Sequence, residues 1–162
     1  MAKKTLIVYY SLSGNIDYVA GEVRRNLRLS MQKLEPEQEP PKTGLKKLIV
    51  GGKSALSKKT DIAIKPLQYS PENYDTILIA CPVWAGTYPP AIATFLKQYT
   101  FTGKNVYLIG ASAGGNAEKM FDKIKAALPG NEFKDTLSLK APLKDKEKTS
   151  ELVGEFCRKN NL

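Results

Sequence analysis

Three short stretches gather the residues that could hold a ligand. Residues 11–16 read SLSGNI, residues 82–90 read PVWAGTYPP, and residues 112–118 read SAGGNAE. The first joins two hydroxyls, a glycine and an amide, with no charged side chain. Where a helix begins, free backbone N–H groups and the positive end of the helix dipole favour an anion. Ser11 and Ser13 add hydroxyl donors, Gly14 lets the backbone come close, and Asn15 adds an amide. Together they would form a phosphate cradle of neutral donors. Taken alone, the same composition also fits a plain strand-to-helix turn with a Ser or Asn cap.

The second stretch shifts that balance. Trp84, the one tryptophan, is flanked by Pro82 and by Ala85 and Gly86. Tryptophan usually fills a core. In a Pro/Gly-rich loop beside a phosphate cradle it is better placed to stack on a planar ligand, and Tyr88 offers a second platform. In the third stretch Gly114 and Gly115 allow backbone to approach a ligand closely. A phosphate site beside a flat-ring site suggests a mononucleotide.

Other chemistry is narrowly bounded. The chain has no histidine, which removes imidazole acid–base catalysis, His-based triads and most zinc sites. Cys81 and Cys157 have neither metal-ligand spacing nor a Cys-x-x-Cys redox spacing. Cys81 closes an apolar run and reads as a small core filler. Residues 51–54, GGKS, resemble the tail of a nucleotide-binding P-loop. The motif's first glycine would fall on Lys47, so the match fails.

The elements that must position the three stretches alternate along the chain. Apolar runs at 5–10, 75–81 and 105–112 predict buried strands, and 135–141 a weaker one. Helical spacing covers 15–28, with apolar residues at Ile16, Val19, Ala20, Val23 and Leu27. It recurs at 89–99, 116–128 and 145–159. Residues 31–36, MQKLEP, can hold a strand at a sheet edge. A proline-rich acidic loop follows, and then a basic segment, 42–59, read as part helix. Strands alternating with helices predict an α/β fold, a parallel sheet covered on both faces. In such sheets ligands bind beyond the carboxyl ends of the strands, where the strand order reverses. Each of the three stretches directly follows a strong strand.

The length of 162 residues suits one domain, 1–162, with no linker and no repeat. No apolar run is long enough to span a bilayer. The basic N-terminus precedes too short an apolar run for a signal peptide, so a cytoplasmic protein without membrane attachment is expected. The net charge of +9 invites nucleic acid as a partner. No aromatic-glycine recognition motif or zinc-finger spacing supports that, and the lysines are spread along solvated helix faces.

The segments 9–20 (YYSLSGNIDYVA), 81–96 (CPVWAGTYPPAIATFL) and 109–121 (IGASAGGNAEKMF) resemble the flavodoxin family. The resemblance implies a flavodoxin-like doubly wound parallel sheet of order 2-1-3-4-5, and bound FMN. The phosphate would lie on Ser11, Leu12, Ser13, Gly14, Asn15 and Ile16. The ring would lie between Pro82, Val83, Trp84, Ala85, Gly86, Thr87 and Tyr88 on one side and Ser112, Ala113, Gly114 and Gly115 on the other. Three features depart from the family pattern. Ile16 stands where a threonine usually closes the phosphate loop, which removes one hydrogen bond worth about 1.5–3 kcal/mol. Electron-carrying flavodoxins are typically acidic, and this chain is basic. The family's second, tyrosine-rich loop is not recognisable.

The function implied is electron transport by a small FMN flavoprotein that serves redox partner proteins. The alternative is an oxidoreductase on the same fold, an NAD(P)H-dependent flavin or quinone reductase. A third reading keeps the fold without flavin. Ala85-Gly86 is small enough for a peptide flip that responds to the state of the flavin.

Overall fold

The computed structural model describes residues 3–38 and 62–162. The basic segment 42–59 and the GGKS stretch lie outside the described residues. Five strands form one parallel sheet: β1 (Thr5–Tyr9), β2 (Ser30–Lys33), β3 (Thr76–Pro82), β4 (Asn105–Ser112) and β5 (Glu132–Lys140). Their order is β2-β1-β3-β4-β5, and every neighbouring pair is parallel. The order reverses between β1 and β3. Among the described residues, four α-helices cover the faces: α1 (Asn15–Asn26), α2 (Pro90–Gln98), α3 (Glu118–Ala127) and α4 (Lys146–Lys159).

The three central strands are buried almost throughout because each side chain enters one core or the other. Leu6, Val8, Ile77, Ile79, Val106 and Leu108 point to a face closed by α2 and α3 through Ile92, Phe95, Met120 and Phe121. Ile7, Leu78, Ala80, Tyr107 and Ile109 point the opposite way, to Val19, Val23, Val153 and Phe156 of α1 and α4. A strand buried on both faces must be apolar in both phases of its two-residue period.

Element ends differ modestly from the sequence expectation. Helix α1 stops at Asn26 because Leu27 is extended, although its N–H still reaches Val23 O at 3.0 Å. Strand β5 begins at Glu132, ahead of the expected residue 135, and its register shifts at Val106/Tyr107. It is an edge strand, so its exposed Glu132 and Lys134 break no apolar run. No helix among the described residues is long and apolar enough to cross a membrane.

Candidate functional site

The loops after β1, β3 and β4 emerge side by side at the carboxyl edge of the sheet. Two backbone bonds knit the exits together: Tyr10 N–H donates to Ala80 O at 3.1 Å, and Val83 N–H donates to Ala111 O at 2.9 Å. The three stretches singled out in the sequence therefore share one rim.

The first loop enters α1 through Gly14, which is left-handed at φ 88°. This conformation is open to glycine and costly for other residues. The N–H groups of Asn15 and Ile16, at the first positions of the helix, have no intrahelical acceptor. Ser11 Oγ accepts the Asp17 N–H at 3.1 Å, which leaves its own proton to donate outward. Ser13 Oγ accepts from the Asn15 amide at 2.9 Å. Asn15 Oδ1 in turn accepts the Leu143 N–H at 2.9 Å, tying the loop to the turn before α4. The Ile16 side chain is fully buried in the core beside α1, so its contribution to the cradle is its backbone N–H. Asp17, the acidic residue of the first turn of α1, is paired with Lys33 Nζ at 2.7 Å, which removes a bare negative charge from that turn.

The second loop is a tight turn. Trp84 and Thr87 exchange N–H···O bonds of 2.8 and 2.9 Å, and the two residues between them, Ala85 and Gly86, both hold positive φ, 49° and 74°. A two-residue turn of this sign matches the type I′ pattern. The Trp84 ring is half-buried and meets Tyr10 edge-on, with centroids 6.1 Å apart at 75°. Tyr10 thus sets the attitude of the tryptophan at the boundary of the first and second loops, a role that the sequence reading missed. Val83 and Tyr88 pack partly buried against the core, while Pro82 ends β3.

The third loop is folded by Ser112. Its Oγ accepts the N–H of Gly115 at 2.9 Å and of Asn116 at 3.1 Å. That hydroxyl is therefore engaged in shaping the loop. Asn116 Oδ1 accepts the N–H of Glu118, the first residue of α3, at 3.0 Å. A Cβ added at Gly86 or Gly114 would meet nothing within 4 Å, so both glycines face open space. At Gly115 it would meet Lys140 Cβ at 3.1 Å.

The two thiols are buried and inert. Burial drives the Cys81 thiol far above its usual range, and its Sγ lies 3.6 Å from Met120 Sδ. Burial also pushes Cys157 up to about 11, against a smaller opposing pull from Arg158. Both stay protonated at neutral pH. No group of His, Cys, Asp or Glu able to hold a metal occurs among the described residues.

The donor set suits FMN: neutral donors and an open helix start for a phosphate, and for a ring a tryptophan oriented by Tyr10, with Gly86 and Gly114 facing open space. The sequence profile of the flavodoxin family matches residues 4–155. No curated protein sequence matches the chain. Among solved structures, the flavoprotein in complex with FMN from Lactobacillus acidophilus NCFM is 25% identical, with a TM-score of 0.66, covering 92% of this chain and 99% of that one. A Bacteroides uniformis ATCC 8492 protein is 21% identical, with a TM-score of 0.78, covering 98% and 99%. The oxidised flavodoxin 2 of Bacillus cereus is 20% identical, with a TM-score of 0.61, covering 96% and 95%.

Proposed function

The chain belongs to the flavodoxin family, and on that premise we propose that it binds FMN and acts as a small electron carrier between partner proteins. The carrying observation is the convergence of three uncharged loops on the rim where the strand order reverses, one opening a helix and one presenting Trp84. In this reading the N–H groups of Asn15 and Ile16, with the hydroxyls of Ser11 and Ser13, hold the phosphate. Trp84 covers one side of the ring and keeps water from it. The backbone of residues 112–115 borders the other side.

FMN supplies the redox chemistry when bound, and the protein supplies binding, orientation and electrostatics. The loops ahead of the helices carry no histidine, carboxylate or lysine, so their groups bind and orient the ligand through hydroxyls, amides and backbone N–H groups. That supports a carrier. A reductase would need a second ligand over the ring, and the basic chain charge would favour a nucleotide there.

The visible spectrum before and after FMN addition tests the first half of the proposal. Uptake of FMN with quenching of its fluorescence is expected. No uptake would leave a flavin-free module. Anaerobic NADPH tests the second half: slow or absent bleaching fits the carrier, and rapid bleaching by NADPH alone would make the protein a reductase.

A further inference from the structure

Beyond β5 the chain turns through Ala141, left-handed at φ 38°, and a short 3-10 turn, Pro142–Lys144, into α4. The corner encloses a hollow of about 240 Å³. Leu139 and Leu152 floor it, and Lys140, Lys144 and Lys148 surround it with Asp145. The other polar atoms are engaged internally. Asp145 Oδ1 accepts the Lys148 N–H at 3.0 Å, and the Thr149 hydroxyl lies 3.1 Å from Pro142 O and 2.8 Å from Asp145 O. None of the three lysine ammonium groups forms an ion pair with a described residue. Beside them stands Leu143, 38% exposed, the one large exposed hydrophobic side chain among the described residues.

This corner adjoins the candidate cofactor site on two sides. Leu143 is tied to Asn15 of the cradle, and a Cβ at Gly14 would lie 3.6 Å from Leu143 Cδ1. Lys140 abuts Gly115 of the third loop.

We propose that this corner is a docking surface for an acidic partner protein, whose carboxylates pair with Lys140, Lys144 and Lys148 while an apolar side chain enters the hollow next to Leu143. Unpaired cations around an apolar floor give charge complementarity at the rim and an anchor at the centre, the usual anatomy of a small transient interface. A polypeptide fits better than a nucleic acid. Asp145 and Glu147 interrupt the lysines and would repel a phosphate backbone, and no aromatic ring lines the hollow to stack a base. The proposal rests on the carrier reading only in taking the partner to be a redox protein.

The test uses the full chain, labelled with ¹⁵N, and a synthetic acetylated peptide of glutamates flanking a leucine. Amide shifts confined to residues 139–152 and the adjoining cradle are expected. The double variant Lys144→Glu/Lys148→Glu should weaken binding about fivefold to thirtyfold. Lys123→Glu/Lys125→Glu, with the same change in net charge on α3, should leave it within about twofold. Equal weakening in both variants, shifts mapping elsewhere, or no binding at low salt would overturn the surface. So would tighter binding of a single-stranded oligothymidylate at the same residues. Visible absorbance reads flavin uptake separately. Peptide docking on a chain that takes up no FMN would uphold the surface and remove only the redox identity of its partner.

Discussion

Gly14 holds φ at 88° where the first loop turns into α1, and the N–H groups of the cradle follow from that turn. Space is not the obstacle to a side chain there, since a Cβ would sit 3.6 Å from Leu143 Cδ1, an ordinary contact. The backbone is. Gly14→Ala should therefore lower the stability of the flavin-free protein by about 1–2 kcal/mol, read by urea unfolding, and weaken FMN with it. Unchanged values for both would mean that the loop relaxes at no cost and the cradle does not depend on the turn. Trp84 makes a separable claim. Its ring is half-buried and braced by Tyr10, so removing it takes away a stacking face and little of the core. Trp84→Ala should raise the FMN dissociation constant about tenfold to a hundredfold, as loss of one stacked base does elsewhere. An unchanged constant would move the ring away from this loop. Both residues were legible in the sequence because glycine and tryptophan are conspicuous after a strand. Tyr10 was not singled out, since a tyrosine closing an apolar strand looks like any other core residue until its neighbour's ring is seen.

Helix α3 lies unusually close to β4, and Gly110 is the reason. A Cβ there would stand 2.6 Å from Ala117 Cβ and 2.8 Å from Met120 Cε. Gly110→Ala should cost about 1–3 kcal/mol by overpacking, and a circular-dichroism melt without a lower midpoint would refute the close fit. At the other edge, β5 is held to the end of α4 through Asp135. Its Oδ2 accepts from Lys159 Nζ and Asn160 Nδ2, both at 2.9 Å. Burial pulls the Asp135 pKa up, but these bonds, the Thr136 N–H and the Lys159 charge together hold it below the usual value. The unfolded carboxyl titrates near about 4. The stability it contributes is complete above that value and is lost as pH falls through the lower, folded value. Asp135→Asn should lower stability at neutral pH and flatten its decline from about pH 4 downward. A mutant curve parallel to the wild type in that window would show that other carboxylates set the acid limb. The central strands and the four described α-helices were readable because burial on both faces, or on one stripe, leaves a period in the sequence. Edges leave little. Strand β2 has no fully buried residue, and β5 opens on exposed Glu132 and Lys134. The bond from Leu143 N–H to Asn15 spans 128 positions and no local pattern can announce it.

The chain as a whole carries +9, while the loops around the candidate site, counted up to Ala117 before α3 begins at Glu118, carry no charged side chain. Two-electron reduction of flavin adds negative charge to the ring. With no carboxylate in those loops to oppose it, the remaining influence is the field of the charges outside them, the adjoining Lys140, Lys144 and Lys148 included, and the chain's net charge is positive. That field should favour the reduced form and raise the potential. Salt distinguishes it from contact effects: the screening length falls from about 30 Å at 0.01 M to about 8 Å at 0.15 M and about 3 Å at 1 M. Local hydrogen bonds and stacking are little changed over that range. A spectroscopic redox titration of the FMN-loaded protein should therefore give a midpoint potential that falls as salt rises, most steeply at low ionic strength. An acidic protein of the same fold should show the opposite slope. A potential independent of salt would place its control in the loop backbone alone. A potential that rises with salt would mean that carboxylates outside the three loops, such as Glu118 or Asp145, dominate the field at the ring despite the sign of the whole.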